Sequence, residues 1–247
     1  MTFRLLLVAL LGIASMAGAA DQSIHERFAQ VLRSSVTDGE VDYTRIANNP
    51  NFAAYIKDLE AEPTFNSHSE ALVYWINAYN ALAIKGILDG RSPRTLLGKY
   101  SYFKKAKYRV GGKRINLYDL ERKVIIPMGE PRIHFAINCA SQSCPKLLSR
   151  AYTADTLDQQ LDVNARAFIN DPILNYFDRD KKIAYVSKIF DCYKKEFRQH
   201  AGSVQKYVSK YIRDPEVAKD LANEQYKIKY LKYDWRLNGI SPKPAQS

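Results

Sequence analysis

The sequence predicts an α+β fold: a helical N-terminal half with a buried central helix, a small and mostly antiparallel sheet, and further helices C-terminally. Three observations carry this expectation. Apolar residues recur at helical spacing early, at Ile24, Phe28, Val31 and Leu32, and helical patterns return beyond Ser187. Short runs between them are punctuated by Gly111-Gly112 and by Asp178-Arg179-Asp180, as hairpins are. The stretch 71–89 is apolar on nearly every side, which marks a helix surrounded by the rest of the molecule. Helices gathered at both ends with hairpins between them give α+β.

Each element has a local reason. Asp38-Gly39 turns the chain after the first helix, and Asn49 caps a second whose first residue is Pro50. Ser67-x-x-Glu70 is a capping box for the central helix, which Gly90 ends. Residues 108–110 and 113–117 read as a hairpin, and Asn116 caps a helix running to Ile126 before Pro127. Residues 132–138 read as a short strand and 153–170 as a helix. A second hairpin joins 173–177 to 183–186. Ser187 caps another helix, two more follow, and 226–233 alternates aromatic and Lys residues like an edge strand.

Composition narrows the class. The chain has 247 residues, 46% hydrophobic, 26% charged and 12% aromatic, which suits one globular domain and excludes a disordered or fibrous chain. Three Cys in this length cannot form a disulfide scaffold. Residues 1–20 read as a secretory leader, with Arg4, an apolar run over 5–14 and small residues at 17–19. No later segment offers about 18 uncharged apolar residues, so no transmembrane segment is expected. Residues 21–239 then form a single domain, followed by a flexible tail over 240–247. The expected location is the periplasm or the exterior. Lys plus Arg number 37 against 26 Asp plus Glu, a net +11. In an exported protein this excess points to anionic envelope polymers or lipid headgroups, and away from nucleic acid.

Four groups of residues stand out. Asn77 and Asn80 share one face of the central helix, either bonding neighbouring backbone or orienting a reactive group. The segment from His134 to Pro145 holds Asn138, Cys139 and Cys144. On a straight strand His134 and Asn138 share a face that Cys139 does not. Its thiols admit a Cys139–Cys144 disulfide, inert burial, or a nucleophile with His134 as base; the spacing matches no usual zinc set. Ser187 reads as a helix cap and Asp191 as a first-turn acid, with Cys192 a packed thiol. The run 99–114 interleaves seven cations with four aromatics, and Lys104, Lys105, Lys107 and Arg109 are its anion-binding candidates.

Several motifs carry a resemblance. Those at 74–82, 131–145, 151–153, 187–191 and 233–238, with Val41-Asp-Tyr43, together resemble the family called domain of unknown function 547. Where that family shows Asp-Trp-Tyr this chain has Asp191-Cys192-Tyr193. The layout also resembles the papain and transglutaminase group, whose nucleophilic Cys opens the central helix; here that helix has Asn77 and Asn80 and no Cys. Two functions are expected from this reading. One is a thiol-dependent hydrolase or acyl-transfer site built from Cys139, His134 and an Asn77 or Asn80 orienter. The other is a non-catalytic module docking anionic polymers or lipids, with Cys139 and Cys144 bridged. Neither calls for a cofactor or a metal.

Overall fold

The computed structural model describes residues 24–241. The leader over 1–20 and residues 242–247 of the expected tail lie outside the described residues.

Helix α1 (24–35) buries Phe28, Val31 and Leu32. Strands β1 (Val36–Thr37) and β2 (Glu40–Asp42) form a hairpin. Asp42 then caps α2 (Tyr43–Ala47), its Oδ1 accepting the N–H groups of Thr44 and Arg45. In α3 (Pro50–Asp58) the cap is Asn49, as expected, accepting the Asn51 N–H at 3.0 Å. The central α4 (His68–Leu88) starts at Ser67, whose Oγ accepts the Glu70 N–H at 3.1 Å. Fourteen of its 21 residues are buried, which makes it the helix the others surround.

Beyond α4, a single turn α5 (Leu96–Lys99) widens into a π-turn (Tyr100–Lys105). The expected hairpin follows as β3 (Tyr108–Val110) and β4 (Lys113–Ile115). Gly111 is required there: at a φ of +58°, a Cβ would also lie 2.5 Å from the Trp75 ring. Asn116 caps α6 (Leu117–Leu120), which widens into a second π-turn (Glu121–Ile125) and a 3-10 turn (Ile126–Met128) containing Pro127.

The strand expected over 132–138 is instead a 3-10 turn, Pro131–Phe135. Pro131 has no N–H for a ladder, and the Glu130 carboxylate accepts the Arg132 N–H at 2.9 Å while pairing with its guanidinium at 2.8 Å. The alternation reflects two cores instead of two sheet faces. Ile133 packs into a core formed mainly around α1 to α4 and α6, whereas Phe135 packs with Phe168, Phe190 and Phe197 in a second.

The second half contains α7 (Leu157–Ile169), β5 (Tyr176–Asp178), β6 (Ile183–Val186), α8 (Ile189–Cys192), α9 (Lys194–Ala201), α10 (Val204–Ser209), α11 (Pro215–Ala222), β7 (Lys227–Tyr230) and β8 (Gly239–Ile240). Among the described residues the strands form three small sheets, ordered β1-β2-β8, β3-β4 and β5-β6-β7. Three pairings are antiparallel; β8 on β2 and the edge strand β7 on β6 are parallel. The class is α+β, as the sequence predicts. Gly239 lies so close to β2 that a Cβ there would sit 2.0 Å from the Val41 carbonyl oxygen.

Candidate functional site

Residues 136–156 form neither helix nor strand, apart from a bridge between Ser141 and Leu237. Their backbone groups still need partners, because an unpaired buried one costs as much as a lost hydrogen bond. Buried amide side chains supply them. Asn77 Nδ2 donates to the Tyr152 carbonyl at 3.0 Å and its Oδ1 accepts the Tyr152 N–H at 2.9 Å. Asn80 Nδ2 donates to the Ala136 carbonyl at 3.0 Å, and its Oδ1 accepts the Asn138 N–H at 2.8 Å. From α7, Gln160 accepts the Thr153 N–H at 3.0 Å and donates to the Ala151 carbonyl at 3.1 Å. The two α4 amides thus engage backbone at both ends, and no hydrogen bond joins either to His134 or Cys139.

The loop these amides hold carries a disulfide, Cys139–Cys144. Its sulfurs sit against one phenol: Tyr233 Oη lies 3.1 Å from each Sγ and 2.9 Å from Ser141 Oγ. Burial pushes the Tyr233 phenol well above its usual range, so it is a neutral hydroxyl. The Cys139 N–H donates to Cys144 Sγ at 2.9 Å. Asn138 closes the loop, donating to the Pro145 carbonyl at 2.7 Å and accepting the Ala140 N–H at 2.7 Å.

His134 belongs to a different group. Its Nε2 pairs with the Glu196 carboxylate and its ring stacks on Tyr193 with centroids 3.7 Å apart, and no hydrogen bond joins it to Cys139. Tyr193 in turn donates to Glu121 Oε1 at 2.5 Å. Burial pushes the Glu121 carboxyl up, and the Tyr193 hydrogen bond and the nearby His134 pull it partly back. Glu121, Tyr193 and Glu196 are chemistry-bearing residues that the sequence reading did not single out.

Tyr233 also lines an open cleft of about 460 Å³, together with Arg94, Lys232, Asp234, Trp235 and Arg236. Asp234 is held by its neighbour, with Arg236 Nε 2.8 Å from Oδ2. Among the described residues, the side chains of Arg94 and Lys232 make no ion pair, and Lys99 Nζ lies 4.0 Å above the Trp235 ring. The cleft is therefore cationic with an aromatic wall. Its floor is pinned to the disulfide loop, since the Ser143 N–H donates to the Asp234 carbonyl at 3.2 Å and the Gln142 N–H to that of Arg236 at 2.9 Å.

The remaining candidates scatter. Lys104, Lys105, Lys107 and Arg109 are exposed, but of the aromatics between them Tyr102 and Tyr108 face the core. Only Tyr100 of the four interleaved rings is exposed, so this run does not present the alternating surface expected. Ser187 is buried, its Oγ accepting the Ile189 N–H at 3.3 Å, and Asp191 pairs with Lys188 at 2.6 Å. Cys192 is exposed at the end of α8, a correction to its reading as a packed thiol.

The sequence model of the family described as "Protein of unknown function, DUF547" matches residues 63–169. That span holds α4, the π-turn of Glu121, His134 and the disulfide loop, and stops short of the Tyr193 and Tyr233 segments that complete both groups. No curated protein and no solved structure matches the chain. Over residues 63–169, from before the central helix to the end of α7, the chain is thus similar to the DUF547 family.

Proposed function

We propose that the protein is an exported, non-catalytic binding module for anionic groups displayed by the cell envelope, with the Cys139–Cys144 bond bracing its ligand cleft from below. The cleft itself carries the reading. Arg94, Lys232 and Arg236 converge on about 460 Å³ beside Trp235, against one acid that Arg236 already holds. Guanidinium groups suit phosphate and carboxylate, and an indole face suits the apolar side of a sugar or headgroup. The net charge of +11 draws such ligands from a distance. The leader-like residues 1–20 support an envelope address. The thiol-hydrolase reading has less support, because Cys139 is bonded to Cys144 and His134 is occupied by Glu196.

Heparin retention tests the cleft. Arg94→Glu with Lys232→Glu should elute at distinctly lower salt than wild type, and bound heparin should change Trp235 fluorescence. Both effects should fade as the screening length falls towards about 8 Å at physiological ionic strength. Unchanged retention of that double variant would remove the cleft from the function.

A further inference from the structure

The cleft's rim has one feature that a soluble polymer does not explain. Leu96 and Leu97 stand side by side on α5 at 84% exposure each, and Tyr100 follows at 59%. Adjacent, nearly free leucines form a patch, and such patches mark contact surfaces. The tip is built to hold them outward. Thr95 Oγ accepts the Gly98 N–H at 3.0 Å, and Arg91 bonds Ser101 Oγ at 2.9 Å behind the tip. Gly98 lies so tightly against the Ser92 carbonyl that a Cβ would come within 2.2 Å of its oxygen. Lys99 ties the same turn to the cleft through its seat over Trp235.

Charge identifies the occupant. Residues 90–118 contain nine Lys and Arg and no Asp or Glu. Tyr118, 40% exposed, extends this face beneath Lys104, whose Nζ lies 4.4 Å over its ring. A second copy of the chain would oppose like charges across the patch, and a hydrophilic polyanion would leave both leucines in water. A surface that is anionic at its headgroups and apolar just beneath them satisfies both parts.

We infer that this face seats on an anionic lipid bilayer, with Leu96 and Leu97 entering the acyl boundary and Arg94, Lys99, Lys104 and Lys105 meeting the headgroups. The inference rests on the anion-binding reading for its charge, while the leucines are its own. The contact is peripheral, since among the described residues no helix is long and apolar enough to cross a membrane. Neither signal suffices alone, because a few apolar groups or a few charges each give only weak, reversible attachment.

Co-sedimentation with phosphatidylcholine vesicles, with and without phosphatidylglycerol, tests it beside the heparin assay. The full chain should bind the phosphatidylglycerol vesicles and leave the pure phosphatidylcholine ones. Leu96→Asn with Leu97→Asn should weaken vesicle binding at least about ten-fold while heparin retention and melting temperature stay at wild-type values. Lys104→Gln and Lys105→Gln should each cost about five-fold. Wild-type vesicle affinity in the double leucine variant would overturn the inference, as would heparin binding without any vesicle binding. Loss of heparin and vesicle binding together from the wild type would sink the anion-binding reading as well.

Discussion

Asn80 accepts the backbone N–H of Asn138 at 2.8 Å, so a side chain on the central helix performs the service that a neighbouring strand gives an ordinary sheet. The relation continues outward. Asn138 Oδ1 accepts from Asn238 Nδ2 at 3.2 Å, and Asn238 Oδ1 accepts the Tyr43 hydroxyl at 2.7 Å. Three amides thereby link α4, the disulfide loop, the segment before β8 and α2. This ladder is the reason an irregular stretch can be buried at all.

Removing its first rung should be costly. Asn80→Leu leaves the Ala136 carbonyl and the Asn138 N–H buried without their partner, each worth about 1–3 kcal/mol. The expected loss is about 2–5 kcal/mol, or roughly 5–15 °C in melting temperature for a domain of this size. Thermal unfolding followed by circular dichroism reads it directly. A wild-type midpoint would mean that the two bonds contribute nothing net.

Acid should unfold the protein partly through His25. Burial holds this imidazole down at about 4, while its Nδ1 lies 2.8 Å from the Tyr55 hydroxyl. The unfolded chain takes up the proton near 6.5, before the folded one does. The stability is therefore complete above that pH and declines as pH falls towards 4, by about 3 kcal/mol in all. Urea unfolding at several pH values in this window should show the slope in wild type and a shallower one in His25→Gln. Equal slopes would clear His25 of the effect.

Glu121 should act with the opposite sign. Its carboxyl is raised from 4.5 by burial, so the folded state holds its proton to higher pH than the unfolded state does. Its contribution is full below 4.5 and is lost as pH rises through the folded value. Glu121→Gln keeps an acceptor for the Tyr193 hydroxyl and carries no charge. It should raise the melting temperature at pH 8 and bring no gain at pH 4.5. A gain that does not vary with pH would place the effect in packing.

Thiol counting should separate the three cysteines. Native, unreduced protein should expose one alkylatable thiol, Cys192, and reduction in denaturant should release Cys139 and Cys144 as well. Desolvation pushes the Cys192 thiol above 9.0, so iodoacetamide should label it faster at pH 10 than at pH 8. Closing a loop of six residues constrains the unfolded chain by about 2 kcal/mol, which Cys139→Ser with Cys144→Ser should forfeit. Peptide mass spectrometry finding three reactive thiols on native protein would contradict the bridge.

Local signals were legible in the sequence, and distant ones were not. Asn49, Ser67 and Asn116 cap helices within their own few residues, so their roles follow from spacing alone. The burial of Asn77 and Asn80 follows from the apolar helix around them. The 132–138 segment misled because the alternation of Ile133 with Phe135 serves two cores at once, and only tertiary packing reveals that. Cys192 follows the buried Ile189 and Phe190, yet it ends a one-turn helix and is exposed. The cleft was invisible because Arg94 and Arg236 lie far apart in the chain and come together only in the folded protein. Glu196 reaches His134 across the same kind of gap.

Residues 227–240 contribute β7 to one three-stranded sheet and β8 to the other, both in parallel pairings. A chain emerging from its N-terminal end therefore cannot complete either sheet, nor lay Tyr233 on the disulfide loop, until this stretch has arrived. Helices α1 to α4 can form early, but they wait with an open sheet edge. Such a topology postpones closure of both three-stranded sheets until the C-terminal stretch is present. The timing of folding is thus set by the order in which strands enter their sheets.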